Sequence, residues 1–450
     1  MTALGSDLTA RVLSAVDDQR DELVTAISAA VQIPSVNPRY PGLLYEEIVG
    51  GEGEVSRFVA GIYRELGAEV DVFGLEPGRE NAVGVIRGTG GDGGRSLIYN
   101  GHVDVVPAGS VSNWRHDPFS GLVEEDRIWG RGSTDMKAGV LAQAFAARAL
   151  KQSAVRLRGD LILEAVVGEE CMNNDIGVSA TVERGYRADA AVVAEPTTGT
   201  RALAVMPTSP GQLWFTLTVE GKVTHAANRG QTLHPSGHGA PPGVSAIDKG
   251  LMILEGLRRL EQQWAFSKRH PLYRPGQFTI MPGILEAGTS GVEFPLFVPE
   301  HMRTEYLVWY PPDDDPEEVK AEIDEHVRQI AATDDWLREH PPRLEWRLHW
   351  PANSPAETAG DAIAAAMGAA HERAAEGTGF AGPAEVAGFP AVDDASWLTL
   401  AGIPAISYGP GDLAVAHADD EFVRIDEVMC ATRAFALLAM EWCGVAGIAN

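Results

Sequence analysis

Apolar residues recur at helical spacing from residue 8 to 31 (Leu8, Val12, Val16, Leu23, Ile27, Val31), predicting a first helix that ends near Pro34. A second helix is predicted over 53–66, followed by an extended run over 69–73. Residues 81–86 and 96–99 read as paired strands around the loop GTGGDGG. That loop is followed by no helix and lacks a phosphate-binding lysine, so a hairpin turn is the better reading. Residues 136–150 are predicted as helix, with strands at 160–167 and 190–194. Strands alternating with helices argue for an α/β layer on a mainly parallel sheet.

The period then changes. Residues 212–220 alternate as a half-exposed strand does (Leu213, Phe215, Leu217, Val219). A helix over 244–264, strands at 277–285 and 302–310, a helix over 316–332 and a strand at 343–350 follow. This β-α-β-β-α-β order predicts a ferredoxin-like α+β sandwich. A helix over 358–374, a strand at 403–407 and a helix over 425–442 resume the first style. The expected architecture is an α/β domain in two parts, 1–207 and 351–450, interrupted by an inserted α+β domain over 208–350.

Composition narrows the function classes. At roughly 100–200 residues per domain, 450 residues accommodate two or three domains with their own cores. The 36 Lys and Arg against 63 Asp and Glu leave a formal charge of −27, which disfavours nucleic acid and anionic lipid as partners. No segment reaches the ~18 uninterrupted apolar residues of a spanning helix, so no membrane association is expected. The opening MTALGSDLTARVLSAVDDQRDELV lacks a basic stretch followed by an apolar one, and three cysteines make no disulfide framework. The expected compartment is the cytoplasm.

Five places put metal-binding side chains where buried strands should end. In LIYNGHVDVVP, His102 and Asp104 are two apart, so on an extended chain they share a face; the pair also suits a purely structural role. Asp135 in RIWGRGSTDMKAGV precedes a helix and alone would be an N-cap. Glu169 and Glu170 follow a buried run in EAVVGEECMNN, where two acids are costly unless cations meet them. Glu195 in AAVVAEPT ends another strand, and His417 lies in YGPGDLAVAHADDEFV. Ligands of open α/β sheets collect beyond the carboxyl ends of the strands. Two His, one Asp and two Glu suit zinc or a related metal, and a carboxylate is needed to bridge two ions.

The ordered set NGHVDVVP, W…DPF, GRGSTDMKAG, GEE, AEPT, GKVTHAA, YGPG and AHADDEFV resembles the M20 family of dinuclear metallopeptidases and amidohydrolases, over about residues 12–442. The resemblance implies a zinc-exopeptidase-type catalytic domain with an inserted lid and dimerisation domain. It implies two Zn2+ per subunit, with Co2+ or Mn2+ as alternatives. His102 and Glu195 then hold one ion, Glu170 and His417 the other, and Asp135 bridges them through a loop whose following peptide bond is commonly cis in the family. Asp104 matches the residue that orients the ligating His, Glu169 the general base, and His225 in GKVTHAA the lid histidine that serves a partner subunit in a homodimer. The implied reaction is hydrolysis, by activated water, of an N-acyl amino acid or related small amide. A dipeptidase or carboxypeptidase is the alternative.

This chain departs from the family in two places. ANRGQTLHPSGHGAPP, with His234 and His238, is longer than the usual link there and reads as an exposed loop that could line the substrate pocket. Glu293 and Trp309 stand roughly where an Asn and an Arg bind the substrate carboxylate in the family, and Arg303 is near but out of register. This leaves room for a more apolar acyl-amide. A non-catalytic scaffold is disfavoured because every ligand position is filled, and a serine hydrolase because no GxSxG is present.

Overall fold

Five strand-forming runs of the first 200 residues and one from near the end of the chain assemble into a six-stranded sheet in the computed structural model, which describes residues 5–234 and 240–448. Its spatial order is Glu69–Glu76, Arg79–Ile86, Leu161–Val166, Leu97–His102, Ala190–Val193, Ala405–Ser407. The last four run parallel, and the first two form an antiparallel hairpin along one edge. Every residue of Leu97–His102 and of Leu161–Val166 is buried, as strands covered on both faces are, with Asn100, His102 and Glu164 as the polar exceptions in otherwise apolar runs.

Helices Gly51–Glu65, Ala138–Gln152, Glu357–Ala374 and Ile425–Cys443 pack with this sheet around one core. Gly139 lets the start of one of them approach closely. A Cβ there would stand 2.2 Å from the carbonyl oxygen of Ala194. The chain just before that helix, which carries Asp135, is thereby held against the strand end that leads into Glu195.

Two expectations require correction. The single helix over 8–31 is two, Ser6–Asp17 and Arg20–Val31. The Gln19 side chain donates to the Ala15 carbonyl at 2.7 Å, taking the acceptor that its own N–H would use in a continuous helix, and that N–H turns to Val16 instead. The strands on either side of GTGGDGG are not paired with each other, because Leu161–Val166 lies between them. The glycine-rich loop is a bridge over one strand rather than a hairpin.

The chain divides into two units, one running up to Ser209 and resuming at Asn353, the other Pro210–Ala352. The second carries an antiparallel sheet in the order Ile280–Gly288, His301–Tyr310, Gly211–Glu220, Arg343–Trp350. Helices Ala246–Ser267 and Pro316–Ala331 share a core with it (Leu213, Leu217, Ile253, Leu257, Ile323). The chain order is the predicted β-α-β-β-α-β.

Candidate metal centre

In the first unit, parallel strands end together and release their last side chains into one region. His102 closes its strand opposite Val166 of the neighbour. Two residues further along that neighbour, Gly168 turns the chain with φ 91°, and a Cβ there would meet the Asn173 carbonyl at 2.6 Å. The turn presents Glu169 and Glu170 beside His102. Glu195 follows Ala190–Val193 on the other side, and the loop before Ala138–Gln152, with a cis Asp135–Met136 peptide, supplies Asp135.

The side chains meet closely. His102 Nε2 lies 3.1 Å from Asp135 Oδ1, 3.6 Å from Glu195 Oε1 and 3.9 Å from Glu169 Oε2. His417 Nε2 lies 3.0 Å from Glu170 Oε2 and 3.3 Å from Asp135 Oδ2. One ligand atom from each of His102, Asp135 and Glu170 falls within 4.8 Å of the others.

Asp104 acts through two different groups. Its backbone carbonyl sits 2.9 Å from His102 Nδ1, which makes Nδ1 the protonated nitrogen and turns the Nε2 lone pair toward the carboxylates. Its carboxylate is 3.8 Å from that ring. It accepts instead from the N–H groups of Gly168 (3.0 Å) and Glu170 (3.1 Å) and from Asn37 Nδ2 (2.9 Å). The ring is thus oriented by the carbonyl, while the carboxylate holds the turn that carries Glu169 and Glu170. Behind Asn37, Arg79 donates to its amide oxygen and pairs with Glu52, both fully buried.

Charge in this cluster is unbalanced. Asp135, Glu169, Glu170, Glu195 and the buried Asp394 face two imidazoles. Burial pushes Glu169 well above the usual carboxylate range; His102 opposes this, and Glu195 and Glu170 add to it. Burial and then Asp135 push Glu195 up, and Glu170 likewise. Asp135 is held low, because hydrogen bonds with His102 and His417 outweigh its burial. Burial disfavours a charged His102, but Asp135, Glu169 and Glu195 outweigh it and raise its pKa well above the ordinary value. Glu170 Oε1 is buried with no hydrogen-bond partner. Crowded acids and an orphaned carboxylate oxygen beside two imidazoles suit divalent cations such as zinc.

His225 belongs to the second unit. It is exposed on the short strand Thr224–His225, opposite Phe297, and its Nδ1 accepts from the Ala227 N–H at 3.0 Å. In that unit Arg303 is engaged by Glu305 and by Glu286 (3.8 Å). Glu293 is exposed, Trp309 is half-buried, and His234 is exposed. His238 lies outside the described residues.

Sequence reasoning passed over Asn37, Arg79, Arg131, Asp394 and Glu421. Each is a polar residue with ordinary local surroundings whose complete burial appears only in the folded chain. The adjacent acids Asp393–Asp394 and the Glu421 of AHADDEFV were the available signals.

Comparison with known proteins agrees with this layout. The N-formyl-4-amino-5-aminomethyl-2-methylpyrimidine deformylase of Halalkalibacterium halodurans is 31% identical over 437 residues, 96% of this chain and 97% of its own. The enzyme of that name from Bacillus subtilis is 32% identical over 401 residues, 86% and 89% of the two chains. Among solved structures, the dipeptidase Dug1p of Saccharomyces cerevisiae superposes with a TM-score of 0.69 at 13% identity, covering 98% of this chain and 99% of that one. Human carnosine dipeptidase 1 gives 0.69 at 14%, covering 97% and 99%. At such identity these two share the fold. The Peptidase family M20/M25/M40 profile matches residues 98–441, and the chain belongs to that family of hydrolases acting on C–N bonds.

Proposed function

We propose that the chain is a two-metal amidohydrolase that removes a small acyl group, formyl in the first instance, from an uncharged aminomethyl-substituted nitrogen heterocycle. The carrying observation for the chemistry is the convergence of His102, Asp135 and Glu170, with Glu169, Glu195 and His417 beside them. The deformylases that match along most of both chains support the substrate class. So does Arg303, whose charge is already met by two carboxylates and is not free to clamp a substrate carboxylate.

His102 and Glu195 would hold one cation, His417 and Glu170 the other, and Asp135 both. Zinc suits this donor set. Bound there, the cations supply Lewis-acid polarisation of the carbonyl and a more acidic water. Glu169 takes a proton from the attacking water and returns it to the leaving nitrogen, so that formamide and water become formate and the protonated amine. Loss of the formyl group requires only a small acyl pocket.

We further place the enzyme in the cytoplasm as a homodimer through the second unit, with His225 meeting the developing oxyanion in the partner's site. The edge strand Ile280–Gly288 supports the dimer. Among the described residues no strand pairs with its outer edge, and Ile284 and Leu285 are 54% and 52% exposed. The deciding experiment compares N-formyl-aminomethylpyrimidine with N-acetyl and N-succinyl amino acids and with dipeptides, using zinc-loaded and chelated protein. Turnover of dipeptides alone would overturn the substrate class, and full activity after chelation would overturn the metal reading.

A further inference from the structure

Two short strands, Arg127–Trp129 and Phe422–Arg424, pair antiparallel with Trp129 opposite Phe422. That register brings Glu421 alongside Gly130 and the loop leading to Asp135. Glu421 is completely buried, and its carboxylate is used in full. One oxygen accepts from three amides of the loop, those of Gly132 (2.9 Å), Thr134 (3.0 Å) and Asp135 (3.3 Å). The other accepts from Arg131 at 2.5 Å. Arg131, 2% exposed and with its guanidinium carbon 5.2 Å from the Trp114 ring centre, extends its second nitrogen to the backbone carbonyl of His417 at 3.2 Å.

His417 needs such a hold. Its φ of 60° is a left-handed conformation that a side chain with a Cβ disfavours, and its ring is half exposed. The two ligand-bearing loops are 282 residues apart in sequence (417 minus 135). A buried ion pair helps join them: Glu421 grips the Asp135 loop through main-chain amides, and Arg131 grips His417.

We infer that Arg131–Glu421 is a positioning pair that sets the separation of Asp135 from His417, and so the affinity for the cation held between them. Neither residue is among the proposed ligands, and both act from behind them. Their effect passes through the backbone of the two ligands, as supporting contacts around metal sites do.

The inference rests on the two-metal reading above, and its test separates the two. Chelated protein is titrated with Co2+ against a chromophoric competitor, while the d–d absorption reports the ligand geometry and thermal unfolding of the apoprotein reports stability. In Glu421→Gln the amide N–H2 opposes Arg131, and one of the two Co2+ steps should weaken by roughly ten- to a hundredfold with an altered d–d band. Arg131→Lys keeps a cation facing Glu421 but loses the fork that reaches His417. It should weaken the same step by less and leave the other unchanged. Unaltered Co2+ affinities and spectra in both variants, whatever their stability, would reduce the pair to a purely structural one and overturn the inference. Should Glu421→Gln fail to fold, Arg131→Lys alone decides. If the unaltered chain binds no Co2+, it is the metal reading that fails.

Discussion

His417 Nε2 lies 3.3 Å from Oδ2 of Asp135, whose other oxygen stands 3.1 Å from His102 Nε2. One carboxylate thus faces both imidazoles with different oxygens, the arrangement required of a bridging ligand. Asp135→Ala should therefore reduce bound metal from about two ions per chain to below about one, while His417→Ala should retain about one. Elemental analysis after reconstitution checks this. Equal losses in the two variants would argue against a shared carboxylate.

Glu169 adjoins Glu170, a proposed ligand, but is itself 3.9 Å from His102 Nε2. Glu169→Gln should keep metal content and thermal stability while lowering kcat on the order of 10²–10⁴-fold. Substantial turnover with both ions present would remove Glu169 from the role of base.

Arg303 is neutralised by Glu305 and Glu286, and Trp309 offers one N–H and no charge, so neither supplies a bidentate clamp for a substrate carboxylate. A charged hydrogen bond of that kind is worth roughly 1.5–3 kcal/mol, about ten- to a hundredfold in binding. The kcat/KM values for an N-formyl amino acid and its methyl amide should therefore differ by less than about tenfold. A preference for the free acid of about a hundredfold, abolished by Arg303→Ala, would show that the clamp has only moved.

If His225 serves the neighbouring subunit, an inactive Glu169→Gln chain and an inactive His225→Ala chain should complement each other. Random exchange at equal concentrations makes about half the dimers mixed, with one working site in each, so about a quarter of sites recover. A dead mixture with demonstrated exchange would confine His225 to its own chain.

Glu164 lies in the middle of the sheet, fully buried, with Asn100 Nδ2 donating to one of its oxygens at 2.9 Å. Burial raises its pKa from 4.5 to about 7. The folded chain then binds this proton more tightly than the unfolded chain. The stability it contributes is complete below pH 4.5, is lost as pH rises to about 7, and is level above that. The loss is on the order of 3 kcal/mol. Glu164→Gln, neutral throughout, should flatten that decline in denaturant unfolding measured at steps across the interval. An unchanged profile would mean that Glu164 ionises in the fold without cost.

The local period of apolar residues was sufficient for most elements and for the inserted sandwich, because amphipathic spacing is written within ten or twenty residues. Acids and histidines at strand ends pointed to metal-type chemistry only as a set, because taken alone the His102–Asp104 pair also suits a structural role and Asp135 an N-cap. The chain alone did not place Leu161–Val166 between the two strands flanking the glycine loop, nor break the first helix at Gln19. It did not distinguish the carbonyl of Asp104, which turns the His102 ring, from the carboxylate, which holds the Glu169–Glu170 turn. Nor did it single out Glu421, whose three amide partners lie 286 to 289 residues upstream. Strand order and the satisfaction of buried polar groups depend on which distant segments are brought together, and only the closed chain makes one segment's N–H groups available to another's carboxylate.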